Sequence, residues 1–125
     1  MKNDATTAAE SANKRTVRSF METFSRNDQA GVLATLTDDV IWDMPGTYHH
    51  QGKDAFRKEM SNPDFEGPCP ITLTRLVEES GVVTAEGTVA TRRKGGDAMR
   101  FAFCDVFEMR GGKIARLISY VQPMK

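Results

Sequence analysis

Residues Phe101–Tyr120 read FAFCDVFEMRGGKIARLISY, two runs of apolar and charged residues joined by Gly111-Gly112. Runs of this composition on either side of a glycine-bearing turn are typical of a β-hairpin. Two further turn signals precede it at hairpin spacing, Ser80-Gly81 and Gly95-Gly96. The second half of the chain therefore predicts a meander of four long strands, over 71–78, 82–93, 99–109 and 114–121.

The first half of the chain shows helical periodicity instead. An apolar stripe that begins at Val17 recurs at helical spacing and predicts an amphipathic helix capped by Ser11 or Asn13. Asp28 can cap a second, shorter helix that ends at 37–39. A short strand over 40–44 and a third helix over 54–60 follow. Helices followed by a meander predict an α+β fold, with the helices on one face of a strongly curved antiparallel sheet of four to five strands.

Composition limits the classes of function. A chain of 125 residues fits one domain, expected over 12–125 after a flexible tail over 1–11. Seventeen basic and seventeen acidic residues cancel, so neither nucleic acid nor membrane is expected as a partner. No apolar run reaches the length of a membrane span and no secretory signal is recognisable, so a cytoplasmic protein is expected. Cys69 and Cys104 lack metal-ligand spacing, and the glycine pairs mark hairpin turns, so neither metal nor cofactor is expected.

Three motifs in this order resemble the nuclear transport factor 2-like superfamily, and within it the SnoaL-like and ketosteroid isomerase-like group. They are LTDDVIWDMPG at 36–46, GKDAFR at 52–57 and FCDVFEMRGGKI at 103–114. The resemblance implies a cone-shaped fold whose three N-terminal helices close an apolar pocket over the sheet. Because the strands over 99–109 and 114–121 are apolar on both faces, the outer face needs a partner, and a homodimer through the sheet is expected.

The catalytic residues of the best-known relatives are not matched. Alignment to the ketosteroid isomerases places Phe20, Met44 and Ala102 where those enzymes keep a tyrosine and two acids. Moving a proton next to a carbonyl needs a base and a hydrogen-bond donor, and these three side chains supply neither. Ordinary ketosteroid isomerase chemistry is therefore not expected.

The limonene epoxide hydrolases use an Asp-Arg-Asp set, to which Thr88, Glu86 and Ser119 correspond here. The catalytic groups of the epoxide hydrolase mechanism are therefore also missing from this chain. The SnoaL-like cyclases need chiefly one acid/base in an apolar pocket, and this chain is compatible with them.

Glu86 is the first candidate acid/base, because a two-residue turn at Ser80-Gly81 pairs it with Arg75. The alternative is a solvent-side ion pair contributing at most ~1 kcal/mol. A two-residue turn at Gly95-Gly96 would add Asp105 opposite Glu86, and two carboxyl groups in one site would raise one pKa. The alignment to ketosteroid isomerases instead turns Asp105 away from the pocket. A slip of one residue in register decides between the two.

The predicted ligand contacts are apolar or small residues on the elements that form the pocket in relatives: Phe20, Trp42, Met44, Met60, Ala102, Cys104 and Ser119. Asp43 is expected to look outward or to cap the loop at Thr47, because Trp42 and Met44 look inward. His49 and His50 lie in a predicted rim loop without a third ligand, so they do not predict a metal site.

The leading hypothesis is a small-molecule pocket protein of the SnoaL-like kind, an isomerase, cyclase or hydrolase that acts on a hydrophobic carbonyl compound by acid/base catalysis. The alternative is a non-catalytic ligand-binding or protein-association module. The unmatched catalytic residues favour the alternative, whereas ionisable residues inside the pocket would favour an enzyme.

Overall fold

The computed structural model describes residues 10–63 and 67–124. The predicted tail over 1–11 therefore lies outside the described residues, except for Glu10 and Ser11. Ser11 caps the first helix, since its hydroxyl accepts a hydrogen bond from the Lys14 backbone at 3.1 Å. Arg18 Nε donates to Glu10 Oε1 at 2.8 Å, which holds the chain just before the helix.

Three helices and six strands form within the described ranges. The helices are α1 (Ala12–Ser25), α2 (Gln29–Leu33) and α3 (Gly52–Met60). The strands are β1 (Leu36–Met44), β2 (Tyr48–Gln51), β3 (Ile71–Glu79), β4 (Val82–Arg92), β5 (Ala98–Arg110) and β6 (Lys113–Met124). Asp28 caps α2 as predicted, because its side chain accepts from the Gly31 backbone at 3.0 Å. In the described part of the chain, no helix is long and apolar enough to cross a membrane.

The sheet is mixed, and its strand order is β2-β1-β6-β5-β4-β3. All neighbours run antiparallel except β1 and β6, which are parallel. The predicted α+β class is confirmed, but the sheet is mixed rather than antiparallel and has six strands rather than four or five. The residues expected to end the second helix extend β1 back to Leu36, and Tyr48–Gln51, expected in a loop, pair with β1 as β2.

The core lies between the helices and the inner face of the sheet, the face that the helices cover. Val17 and Phe20 of α1 are fully or almost fully buried, and the Phe20 ring meets Phe107 of β5 edge-on at 5.3 Å between centroids. Trp42 of β1 stacks on Phe56 of α3 at 4.3 Å. These contacts fix which side of β1 and which side of β5 faces the helices.

Register was predicted correctly at one hairpin and wrongly at the next. Ser80-Gly81 makes a two-residue turn, so Arg75 pairs with Glu86. The turn between β4 and β5 has three residues, 94–96, because the Arg93 backbone donates to Asp97 at 3.4 Å. Glu86 therefore pairs with Cys104, and the prediction that Asp105 stands opposite Glu86 is wrong.

Candidate functional site

A cavity of about 600 Å³ lies between the helices and the inner face of the sheet. Its walls come from α1, α3, β1, β2 and the last three strands. Five of the predicted ligand contacts line it: Phe20, Trp42, Met44, Met60 and Ser119. Such an apolar concavity, with few polar groups, is the usual form of a small-molecule site.

The inner face of β5 carries Phe101, Phe103 and Asp105, all of which line the cavity. Because side chains alternate along a strand, Ala102 and Cys104 lie on the outer face. The prediction that they line the pocket is wrong. Phe103 and Phe107 are buried under the helices, so the odd-numbered residues of this part of β5 face inward and their even-numbered neighbours face outward.

Glu86 and Arg75 also lie on the outer face. Arg75 Nε donates to Glu86 Oε1 at 2.7 Å. The Arg75 side chain is 65% exposed and the Glu86 side chain 40%. The predicted pairing is present, but the predicted place in the pocket is wrong, because the even residues of β4 alternate away from buried Val83 and Ala85. A solvent-exposed pair of this kind adds at most ~1 kcal/mol to stability.

Asp105 is the carboxyl group on the cavity floor. Its neighbours across the sheet are Ala85 and Ser119, both on the inner face. Desolvation by the surrounding wall raises the pKa of Asp105 to about 7, and the hydrogen bond from Ser119 works in the opposite direction. A large share of Asp105 therefore holds its proton near neutral pH.

A short chain of hydrogen bonds orients that carboxyl group. Trp42 Nε1 donates to Ser119 Oγ at 3.1 Å, and Ser119 is almost completely buried. A hydroxyl group has one proton to give, so Ser119 accepts from the indole and donates its own proton to Asp105. Ser119 was predicted as a ligand contact; the structure places it in the cavity wall and gives it this orienting contact to Asp105.

A second polar group of residues faces the cavity from β2 and α3. Tyr48 and Glu59 both line the cavity. His50 Nε2 lies 3.0 Å from Glu59 Oε1, and the His50 ring stacks on Tyr48 at 4.4 Å between centroids. Burial, followed by the charges of Glu59 and Asp105, raises the pKa of the Tyr48 phenol, so its hydroxyl stays protonated.

Sequence reasoning missed Tyr48 and Glu59. Tyr48 stood in a stretch interpreted as a polar loop, and Glu59 stood on a helix predicted only to turn Phe56 and Met60 inward. The available signal was the alternation of Tyr48 and His50, which is typical of a strand with one face against an interior.

Asp43 looks outward, as predicted. It accepts hydrogen bonds from Arg116 Nε at 3.0 Å and from His49, which is exposed. Burial raises the pKa of Asp43, but the Arg116 and His49 contacts outweigh it and the net direction is down. Across residues 10–63 and 67–124, no group of three or more His, Cys, Asp or Glu side chains could hold a metal ion.

Helices over an open mixed sheet, with an apolar cavity between the two layers, form a nuclear transport factor 2-like fold. The chain belongs to the SnoaL-like domain family, whose model matches residues 17–117. No match to the chain is found among curated protein sequences.

Solved structures agree with this assignment. The chain is similar to an LEH-like epoxide hydrolase from M. tuberculosis, with 22% identity over 89% of this chain and 83% of that one and a TM-score of 0.79. It is also similar to a nuclear transport factor 2-like protein of unknown function from Burkholderia pseudomallei, with 23% identity over 90% of this chain and 92% of that one and a TM-score of 0.81. A third similar structure is that of a proposed polyketide cyclase from Xanthomonas campestris pv. campestris, with 24% identity over 87% of this chain and 89% of that one and a TM-score of 0.74. At these identities the likeness establishes the fold.

Proposed function

We propose that this protein is an enzyme that binds an apolar carbonyl compound in the cavity and transforms it by acid/base catalysis, with Asp105 as proton donor. The observation that carries the proposal is a carboxyl group with a raised pKa on the floor of an apolar cavity. An acid whose pKa lies near the working pH is well suited to give and regain a proton. No cofactor is part of the proposal.

The contacts of Asp105 support this role. Ser119, which Trp42 holds by a hydrogen bond, donates to the carboxyl group, and Asp105 lines the cavity. Aromatic and methionine side chains around it exclude water, so a hydrogen bond to a ligand oxygen is stronger there than in solution. The fold is also shared with proteins named as an epoxide hydrolase and a proposed polyketide cyclase.

A binding titration tests the donor role, with 2-decalone as the apolar ketone and the fluorescence of Trp42, the single tryptophan, as the readout. The ketone oxygen accepts from neutral Asp105 and is repelled by the carboxylate. The Kd of wild type should therefore rise as pH rises through about 7, the pKa of Asp105. Asp105→Asn should remove this pH dependence, while Asp38→Asn, on the surface, should keep it. A Kd independent of pH between about 5.5 and 8.5 would overturn the donor role.

Catalysis is tested with the same ketone in D₂O, by following exchange of its α-protons by NMR. Wild type should exchange them about 10²-fold faster than Asp105→Asn, the scale of one acid/base group. Binding without exchange above the buffer rate would overturn the enzyme proposal in favour of a ligand-binding module.

We also propose that a second copy of the chain covers the outer face of the sheet. Val77, Tyr120 and Met124 leave 53%, 51% and 39% of their surfaces exposed, which is costly for large apolar residues. Sedimentation at micromolar concentration should give twice the mass of one chain, and Tyr120→Glu should give a single chain. A wild-type monomer would contradict the proposal.

A further inference from the structure

The last two residues of β4, Thr91 and Arg92, give the cavity wall a hydroxyl group and a positive charge. Of the described residues that line the cavity, Arg92 is the only lysine or arginine. Asp105 lies further along the sheet, opposite Ala85 of the same strand β4. A ligand that extends along β4 therefore meets a carboxyl group at one position and a guanidinium group at another.

We propose that Thr91 and Arg92 bind a carboxylate group of the ligand. The inference rests on the proposed function and names its substrate class: an apolar chain with a carbonyl group near Asp105 and a carboxylate at its other end. Thr91 lies six residues beyond Ala85 on β4, and a strand rises about 3.3 Å per residue, so their Cα atoms are at most roughly 20 Å apart. An oxo acid with a long apolar chain can span such a distance.

The Thr91 hydroxyl group has no partner within the fold. Across residues 10–63 and 67–124, its oxygen is the one buried side-chain nitrogen or oxygen that makes no hydrogen bond. Leaving such a group unpaired costs free energy, which a hydrogen bond to a ligand recovers. Rotation about the Cα–Cβ bond moves a threonine hydroxyl between staggered positions, so this group can turn to a ligand in the cavity.

The Arg92 guanidinium group is also free to bind a ligand. Arg92 is exposed, and it forms no ion pair or side-chain hydrogen bond with any residue that the structure describes. By contrast, Arg75 and Arg116 are each paired with a carboxylate. Arg93 and Lys94 follow Arg92 in the chain and add positive charge nearby, but neither lines the cavity. A guanidinium group can donate two parallel hydrogen bonds to a carboxylate, so Arg92 is the anchor of the site.

A carboxylate fits this pair of residues better than a phosphate group does. It carries one negative charge, which the single cation of the wall balances, whereas a phosphate monoester carries about −1.5 to −2 near neutral pH. Its two oxygens are enough to accept from Arg92 and from the Thr91 hydroxyl. Of the two acidic residues in the wall, Asp105 keeps much of its proton near neutral pH, and Glu59 lies against His50 at 3.0 Å. Neither is paired with Arg92.

Calorimetric titrations with dodecanoate and dodecanol at pH 7, below the concentrations at which they form micelles, test the site. The two probes have the same chain length and differ in the charge of the head group. Dodecanoate should bind wild type about tenfold more tightly than dodecanol, the effect of one hydrogen bond to a charged group. Arg92→Gln should weaken dodecanoate about tenfold and change the Kd of dodecanol by less than about twofold. Dodecyl phosphate should bind wild type no more tightly than dodecanoate.

Arg93→Gln is the matched control, because it removes the neighbouring positive charge without changing a residue of the cavity wall. Its Kd for dodecanoate should stay within about twofold of wild type. Thr91→Val keeps the shape of the side chain and removes the hydroxyl group. It should bind dodecanoate at least threefold more weakly, while urea unfolding shows no loss of stability, since the hydroxyl makes no hydrogen bond in the fold. A hydroxyl with only a structural role would show the reverse.

The outcomes distinguish this inference from the function it rests on. Equal weakening of dodecanoate by Arg92→Gln and Arg93→Gln, or equal weakening of dodecanoate and dodecanol by Arg92→Gln, overturns the carboxylate site. Tighter binding of dodecyl phosphate than of dodecanoate overturns the choice of carboxylate. In each of these cases the exchange of 2-decalone protons by wild type, which involves no anionic group, leaves the acid role of Asp105 standing. Exchange at the buffer rate, with the preference for dodecanoate intact, overturns the acid/base function and leaves the carboxylate site.

Discussion

Asp105 and Glu86 are carboxyl groups on adjacent strands, one on each face of the sheet. Asp105 lies on the inner face beside small Ala85 and buried Ser119, and desolvation raises its pKa to about 7. Glu86 lies on the outer face, where it is 40% exposed and paired with Arg75. The same chemical group becomes a candidate acid in one place and a surface ion in the other, because burial and not residue type controls its proton affinity.

The largest expected effect is on the pH dependence of stability. The pKa of Asp105 is raised from 3.8 to about 7 on folding, so between these pH values the unfolded chain loses a proton that the folded chain keeps. The free energy of unfolding of wild type should therefore fall relative to Asp105→Asn from pH 4 to pH 7, by at most about 4 kcal/mol for three pKa units.

Urea unfolding of both proteins at pH 4, 5.5, 7 and 8 measures that difference. It should fall between pH 4 and pH 7, because over this range Asp105 is largely ionised in the unfolded chain and still protonated in the folded one, and it should level off at about pH 8, where Asp105 is ionised in both states. A difference that does not change with pH would show that Asp105 is solvated like Glu86 and would remove the contrast between the two faces.

The next effect concerns the inner face of β4. A Cβ atom at Gly87 would lie 2.1 Å from the Thr72 backbone oxygen and 3.0 Å from the Phe103 ring. Gly87→Ala should lower the free energy of unfolding by about 3 kcal/mol, the upper range for overpacking. Gly96→Ala is the control, because its nearest contact is an ordinary 3.6 Å. Equal thermal stability of the two variants would mean that β3 and β4 do not approach each other this closely.

A smaller effect is expected at Ser119. Ser119→Ala removes the donor to Asp105 and the acceptor for Trp42 Nε1, at a cost of about 1–3 kcal/mol for the buried indole left unpaired. Loss of a hydrogen bond that favours the carboxylate should raise the pKa of Asp105 further. The pH at which 2-decalone binding weakens should move above that of wild type. An unchanged midpoint would show that Ser119 does not orient the acid.

The smallest effect belongs to the outer face. Glu86→Gln should change the free energy of unfolding by less than about 1 kcal/mol, as is usual for an exposed ion pair, and the change should shrink in high salt. Chemical denaturation in 0.05 M and 1 M NaCl measures it. A loss of several kcal/mol would place Glu86 in a buried environment and would make the two carboxyl groups alike.

Local signals predicted much of this molecule. Glycine-bearing turns gave the hairpins and the Arg75–Glu86 register, because a two-residue turn of this kind leaves one pairing that fits both strands. Polar side chains at the predicted helix starts gave the Asp28 cap and Ser11, one of the two candidates for the cap of the first helix. The order of helices followed by a meander predicted the α+β fold. The family resemblance indicated which elements form the pocket, and Phe20, Trp42, Met44 and Met60 on those elements line the cavity.

Only the tertiary structure determines which side chains of β5 face the helices. Residues 101–107 contain apolar side chains at both odd and even positions, so alternation alone does not say which set faces the helices. The three-residue turn at 94–96 and the packing of Phe107 against Phe20 settle it, and both turn Asp105 inward and Glu86 outward. Asp105, Tyr48 and Glu59 line one cavity because the fold brings β5, β2 and α3 around it. Segments so far apart in the chain leave no local sequence pattern that would predict this.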